Sequence, residues 1–380
     1  MCGFTGFYIN TPSSKHSLTT QVDMMSDAII HRGPDDAGAW VDERLGLALG
    51  HRRLSIVDIT SAGHQPMHSN TDRFVIAFNG EIYNHLQLRD QLAKDGFKTP
   101  WKGTSDTETL LECFERYGIE RSLEKLEGMF AMAVWDHLKK KIILIRDRFG
   151  EKPLYYSDSS SSNGFIVFGS EISIIKSHPS FQAEIDRGSL SEYMKLGYVP
   201  SSKSIYSGVH KVRPGTFLEI DPQSLKFKEY EYWNSYDEAK ISYENKFLGS
   251  TLDARDHLEG LLVDKIEKRM LSDVPLGVFL SGGIDSTVVT CIMNSISSKP
   301  IKTFTIGFNE DAWNEAESAK IIARALGTEH HETYVSYNEA MEVIPKLPSI
   351  YTEPFADVSQ IPTYIVAEKA KKEVTVALTG

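Results

Sequence analysis

From Cys2 to about Gly215, short runs of β-branched, aromatic and other apolar residues recur between turn signals. This predicts strands at Gly46 to Gly50, Phe74 to Phe78, Met129 to Val134 and Lys141 to Ile145. Apolar positions at helical spacing interrupt these runs: Leu86, Leu88, Leu92 and Ala93 predict one helix, and Thr107 to Tyr117 another, with Asp106 close to its start. The first half is therefore expected to be a mixed, sheet-rich α+β domain. A serine-rich run from Ser157 to Gly164, set between Leu154-Tyr155-Tyr156 and Phe165-Ile166-Val167-Phe168, reads as an exposed hairpin tip without a function.

Polar sequence without periodicity runs from about Gln223 to Ser250, a composition shift of the kind found at domain boundaries. We place a first domain at residues 2–215, a linker at 216–250 and a second domain at 251–380. Ala254, Leu258, Leu261, Leu262, Ile266 and Met270 predict a helix of about five turns. A strand at Val274 to Leu280, a turn at Ser281 to Thr287, a helix at Val288 to Ile296 and a strand at Ile301 to Phe308 then make a βαβ unit. That unit is the mark of a parallel sheet covered by helices, so the overall class is α/β. Further helices are expected at Trp313 to Leu326 and Asn338 to Leu347, and one more buried strand at Val374 to Leu378.

Composition narrows the function. At 380 residues the chain is too long for one ordinary core and suits two domains with two jobs. No apolar run approaches the roughly 20 residues of a membrane span, and the N-terminus lacks the basic and apolar segments of a secretory signal, so the cytoplasm is the expected location. A net charge of −11 argues against a nucleic-acid or anionic-membrane surface and favours small-molecule partners. The cysteines Cys2, Cys113 and Cys291 have neither zinc-site spacing nor the even count of a disulfide framework. Cys113 and Cys291 fall inside apolar helical patterns and are expected to fill the core.

Cys2 stands apart. With Met1 removed, it carries a thiol beside its own α-amine, whose pKa of about 7.7 to 8.0 lets it act as base at neutral pH. Attack by such a thiol on an amide carbonyl creates an oxyanion that needs two donors, and Asn79-Gly80 offers an amide side chain next to an unhindered backbone N–H. Arg53 suits the substrate carboxylate through its forked guanidinium, and Asp106 suits the ammonium. Taken singly these residues have blander readings: a turn for Asn79-Gly80, a surface ion pair for Arg53, a helix cap for Asp106.

Their company changes the weighing. Cys2-Gly3, His31-Arg32-Gly33-Pro34-Asp35, His51 to Asp58, Phe78-Asn79-Gly80-Glu81-Ile82-Tyr83-Asn84, Ser105-Asp106, Gly128 to Ala131 and Arg146-Asp147-Arg148-Phe149-Gly150 stand in the order seen in class II glutamine amidotransferases, which this half resembles throughout. The resemblance implies an N-terminal-nucleophile fold, a four-layer αββα sandwich. It also implies Cys2 as nucleophile, Asn79 and Gly80 as the oxyanion hole, and Arg53, Leu54, Ser55, Ile56, Val57, Asn79, Gly80, Glu81 and Asp106 as the glutamine site, with Glu81 and Asp106 at the ammonium. His31 is given packing or loop anchoring rather than catalysis.

In the second half, Ser281-Gly282-Gly283-Ile284-Asp285-Ser286 lies between a strand and a helix. Glycines that let backbone approach an anion, a helix N-terminus and two hydroxyls suit a pyrophosphate. The run is neither G-x-x-x-x-G-K-[ST] nor G-x-G-x-x-G, so those nucleotide motifs do not apply. It resembles the pyrophosphate loop of ATP-pyrophosphatases, and Val274 to Leu280 with Gly327-Thr328-Glu329-His330-His331-Glu332 narrows the resemblance to asparagine synthetase-like proteins. This implies an adenine-nucleotide-binding domain with ATP as a substrate, held by Leu280, Ser281, Gly282, Gly283, Asp285, Ser286, Ile306, Thr379 and Gly380, and with Mg2+ on Asp285. His330 and His331 are adjacent on a strand, point to opposite faces and are set aside as a metal pair.

The chain departs from the family at Thr379, where serine is usual, and it stops where a further glycine- and acid-rich loop is expected. The second domain thus reads as cut short, with glutaminase capacity kept and synthetase activity impaired. The resemblance implies that glutamine yields ammonia, which attacks an acyl-adenylate to give an amide, AMP and pyrophosphate. Aspartate is the expected acceptor. Glu353 to Thr363 resembles a subgroup that includes enzymes amidating uronic acids of surface polysaccharides, which stays as the alternative. A non-catalytic relic is disfavoured by intact Cys2, Arg53, Asn79 and Asp106, and sugar-phosphate amidotransfer by the Ser281 to Ser286 loop. No nucleic acid or membrane partner is expected, and a homodimer is left open.

Overall fold

The computed structural model describes residues 2–158, 164–308 and 315–380. The chain divides into two compact units. The first comprises residues up to Glu244 together with Thr352–Phe355; the second comprises Asn245–Tyr351 and Ala356–Gly380.

The first unit contains strands β1 (Gly3–Ile9), β2 (Asp36–Asp42), β3 (Leu47–Arg53), β4 (Met67–His68), β5 (Phe74–Ile82), β6 (Gly128–Asp136), β7 (Lys141–Arg146), β8 (Tyr155–Ser157), β9 (Phe165–Gly169), β10 (Val209–Lys211), β11 (Thr216–Asp221) and β12 (Lys226–Glu231). They form two six-stranded sheets, ordered β10-β8-β9-β1-β3-β2 and β12-β11-β7-β6-β5-β4. Alternation along each strand decides the layering. In β5, Val75 and Ala77 join Phe4, Leu49 and Phe168 of the other sheet in a core between the sheets. Their neighbours Phe74, Ile76 and Phe78 pack outward against Leu88, Leu110 and Phe114 of helices His85–Lys94 and Asp106–Tyr117. On the far side, Phe7 and Val167 meet Leu18, Val22 and Met25 of helix Lys15–Asp27 and Ile174 of helix Ile172–Ser177. Four layers, α-β-β-α, follow from two one-sided helix sets on two sheets buried on both faces.

The expected linker at 216–250 is corrected at its start, because β11 and β12 are strands of the second sheet. Phe217, Leu218 and Ile220 of β11 are buried, in a register with β7 that begins Phe217↔Ile145. The polar residues of β12, an edge strand with mostly exposed side chains, hid the period-two pattern. The expected hairpin tip lies largely outside the described residues.

The second unit holds β13 (Leu276–Phe279), β14 (Lys302–Phe308), β15 (Glu329–Val335) and β16 (Val376–Leu378), all parallel, in the order β15-β14-β13-β16. Both faces are covered. Val278 packs with Ile266, Ile292 and Met293, whereas the adjacent Phe279 packs with Phe304, Val366, Ala370 and Val374. β16 is an edge strand with half-buried side chains rather than a buried one. Helix Thr251–Arg269 opens with a capping box in which Ser250 and Asp253 satisfy each other's backbone N–H. Its expected apolar stripe is only partly used: Ile266 is buried, while Leu258 and Leu261 are exposed.

Cys113 is buried as expected, but Cys291 is exposed. Helix Ile284–Ile296 turns Ser286, Thr290 and Met293 inward, and Cys291 falls on its other side despite apolar neighbours in sequence. That helix starts at Ile284 with Gly283 as its N-cap, so Ile284 to Thr287, read as turn from the sequence, forms its first turn. Among the described residues, no helix is long and apolar enough to cross a membrane.

Candidate active site

Cys2 sits at the head of β1, and the pairing Gly3↔Arg52 carries it beside the end of β3. Its Sγ donates to Leu54 O and accepts from Leu54 N, each at 3.4 Å. Burial pushes the thiol above its ordinary pKa, and the Leu54 backbone bond and the nearby Arg53 charge only partly offset this. The group is therefore a held thiol that needs a base to become a nucleophile.

The cleft at Cys2 brings together Cys2, Arg53, Leu54, Ile56 and Val57 from one side and Asn79, Gly80, Glu81 and Asp106 from the other. Ser55 does not line it, and its backbone N–H donates instead to Asp35 Oδ2 at 2.8 Å. Asn79 and Gly80 lie inside β5 and pair with Ala131 and Phe130, so the blander reading of these two residues as a turn does not apply. Buried Asn79 keeps its Nδ2 without a hydrogen-bond partner. A buried amide donor without an acceptor, in a residue that lines a cleft, is free to donate to an oxygen bound there.

The Arg53 guanidinium is clamped by its own loop: Nη1 donates to Thr60 O at 2.9 Å and Nη2 donates to Val57 O at 3.5 Å and to Asp58 O. Asp106 opens helix Asp106–Tyr117 and accepts from Ile82 N at 2.9 Å. Burial pushes its carboxyl pKa up, against the bond from Ile82 N that pulls it down, and a nearby ammonium would favour its charged form. His31, expected only to anchor a loop, places Nε2 3.0 Å from Glu171 Oε1.

Sequence reasoning missed Gly63, Gln65, Met129 and Lys152, which also line the cleft. Gln65 bridges its two walls: Oε1 accepts from Phe78 N at 2.7 Å and Nε2 donates to Thr107 Oγ1 at 3.3 Å. From below, His51 Nε2 donates to Phe78 O at 2.9 Å, and burial holds this imidazole neutral, its pKa down at about 4. No periodic signal marks these residues; only the Gly63-His64-Gln65-Pro66 run hints at a constrained turn.

In the second unit a cavity of about 430 Å³ is lined by Leu280, Ser281, Gly283, Asp285, Ser286, Ile306, Thr379 and Gly380. Gly282 does not line it, but its φ of +84° and its tight approach to Ser318 bend the loop around it. Ser281 Oγ and Ser286 Oγ are 3.0 Å apart. The two hydroxyls and the first turn of helix Ile284–Ile296 thus face one space, with apolar Ile306 and Phe304 on its wall.

Residues 1–233 match the family described as glutamine amidotransferase domain, and residues 257–380 the family described as asparagine synthase. Asparagine synthetase [glutamine-hydrolyzing] 1 of Bacillus subtilis is 37% identical over all of this chain and 57% of its own length. Asparagine synthetase [glutamine-hydrolyzing] 3 of the same organism is 32% identical over all of this chain and 62% of its own length. A Methanocaldococcus jannaschii relative, whose name also carries asparagine synthetase, is 34% identical over all of this chain and 74% of its length. The chain therefore spans 57% and 62% of the lengths of these two Bacillus relatives. Glutamine phosphoribosylpyrophosphate amidotransferase from B. subtilis, complexed with ADP and GMP, is 16% identical with a TM-score of 0.43 over 90% of this chain and 70% of that one, too distant to carry an argument. With both domain descriptions matched in this order along a single chain, the protein belongs to the glutamine-hydrolysing asparagine synthetase family.

Proposed function

We propose that the first unit hydrolyses glutamine to glutamate and ammonia, and that the second uses ATP to activate a carboxylate, aspartate first, for amidation by that ammonia. The observation that carries the first part is the cleft shared by Cys2 and Asn79, whose buried Nδ2 has no hydrogen-bond partner. With Met1 removed, the α-amine of Cys2 takes the thiol proton as sulfur attacks the glutamine Cδ, and the oxygen gains charge facing Asn79 Nδ2 and the Gly80 N–H. The proton then passes to the leaving nitrogen, which departs as ammonia. Water attacks the remaining γ-glutamyl thioester, and glutamate leaves with Cys2 restored. Arg53 receives the substrate carboxylate, and Glu81 and Asp106 the ammonium; Leu54, Ile56 and Val57 shape the loop over the side chain.

For the second part, the glycine loop, the paired Ser281 and Ser286 hydroxyls and the helix N-terminus support ATP binding through the phosphates, with Leu280 and Ile306 toward the adenine and Thr379 and Gly380 closing the cavity. Asp285 is an exposed carboxylate in the first turn of helix Ile284–Ile296. A single carboxylate fits Mg2+ held jointly by phosphates and water, which would supply charge neutralisation at the pyrophosphate. The resemblance at Glu353 to Thr363 keeps uronic acids as the second acceptor class. Glutamate release tests the glutaminase, and pyrophosphate release across a panel of aspartate and uronic acids tests the acceptor; release with none of these sinks the proposed substrates.

A further inference from the structure

Asp58 touches both ends of the cleft without lining it. It is buried and sits in left-handed backbone with φ 55°. Its carbonyl accepts from Arg53 Nη2. Its carboxylate reaches a separate stretch of chain: Oδ2 accepts from Thr104 N at 2.7 Å and Ser105 N at 3.1 Å, while Oδ1 accepts from Thr60 N at 3.1 Å and from the Thr60 hydroxyl. Ser105 is the N-cap of helix Asp106–Tyr117, so the residue after this grip is Asp106. The approach is close enough that a β-carbon on Gly103 would stand 2.2 Å from Asp58 Oδ2.

We propose that Asp58 is a positioning residue that sets the spacing between the Arg53 guanidinium and the Asp106 carboxylate, and thereby the demand for a free α-amino-acid end on the amide substrate. The inference rests on the reading of the Cys2 cleft as a glutaminase site. One residue grips the expected carboxylate receptor with its main chain and the expected ammonium receptor's loop with its side chain. The two receptors therefore move together or not at all. Burial pushes the Asp58 carboxyl up, but the bonds from Thr60, Thr104 and Ser105 outweigh this and hold it below the ordinary range, so the strut stays ionised at neutral pH.

Asp58→Asn is the informative change, because asparagine tolerates left-handed backbone while one of the two oxygens that accept from backbone N–H groups becomes an NH2 that cannot. Gly103→Ala attacks the same contact from the other side and guards against a folding failure particular to Asp58. Three readouts are compared with the unaltered chain: L-glutamine kinetics, labelling of Cys2 by the amino-acid analogue 6-diazo-5-oxo-L-norleucine, and labelling by iodoacetamide, which has no α-amino-acid end. Both variants should raise KM for L-glutamine by roughly 10- to 100-fold with kcat within about threefold, and slow the analogue by a similar factor. Iodoacetamide labelling should stay unchanged. A KM within twofold of the unaltered chain, or analogue and iodoacetamide rates falling in step, would overturn the proposal. If the unaltered chain itself releases no glutamate and the analogue spares Cys2, the glutaminase reading has failed, and Asp58 has no such role.

Discussion

Gly63 lies so close to Arg53 that a β-carbon built on it would stand 1.9 Å from Nη2 of the guanidinium. The same Nη2 is already committed to the carbonyls of Val57 and Asp58, so Arg53 has nowhere to retreat without leaving its loop. Gly63→Ala should therefore displace the guanidinium, raise KM for glutamine at least about tenfold and cost about 1–3 kcal/mol of stability through overpacking. Steady-state glutamate release and urea unfolding check it, and a KM within twofold would refute the geometry.

Asn79 presents a buried donor that nothing in the described structure satisfies. Asn79→Ala should lower kcat by about 10²- to 10³-fold with little change in KM, since the bond forms only as the oxyanion does. Stability should hold or rise by about 1 kcal/mol, because an unsatisfied polar group is removed. A drop in kcat below tenfold would take Asn79 out of the oxyanion hole.

Acid should destabilise the first unit through two buried imidazoles. Burial lowers the pKa of His51 and His178 to about 4 each, against an ordinary value of 6.5. Below pH 6.5 the unfolded chain takes up protons that the folded chain refuses, so stability falls as pH drops from 6.5 toward 4 and is fully present above 6.5. At pH 5 each imidazole should have removed about 2 kcal/mol. His178 Nδ1 accepts from Ser180 N at 3.2 Å, a bond that an asparagine carbonyl can replace. Unfolding free energies from urea titration at pH 7 and pH 5 should converge in His178→Asn by about that amount, and an unchanged pH slope would contradict the assignment.

The nucleotide loop is testable without turnover. Gly282 has φ +84°, and a β-carbon there would lie 2.9 Å from Ser318 Cβ. Gly282→Ala should weaken ATP binding about tenfold or more by calorimetry, since both the backbone conformation and the approach to the helix oppose a side chain. Equal affinity in the two proteins would remove the loop from the phosphate site.

Much of the fold was legible in the order of residues. The apolar run Phe74 to Phe78 and the spacing in Thr107 to Tyr117 predicted a strand and a helix that the structure places back to back through Phe74, Ile76 and Leu110. Periodicity failed where apolar residues lie on both sides of an element. Cys291 stood among apolar neighbours and is exposed, because a helix covering one face of a four-stranded sheet can bury only one of its own faces. It failed again at β12, whose edge position lets polar side chains occupy a strand.

Sequence alone determined which chemical groups are present: a thiol next to the terminus, an arginine, an asparagine beside a glycine, an aspartate at a helix start, and a Ser-Gly-Gly loop between strand and helix. These are local in the chain, so order suffices to find them. Only the tertiary structure decided that Ser55 stands outside the lining of the cleft, that Gly63 must lack a side chain beside Arg53, and that Gln65 and Asp58 tie the two walls of the cleft together. Each of those depends on hydrogen bonds or contacts between segments far apart in the chain. Such contacts carry no spacing of their own, and they exist only once both sheets have closed around a common core.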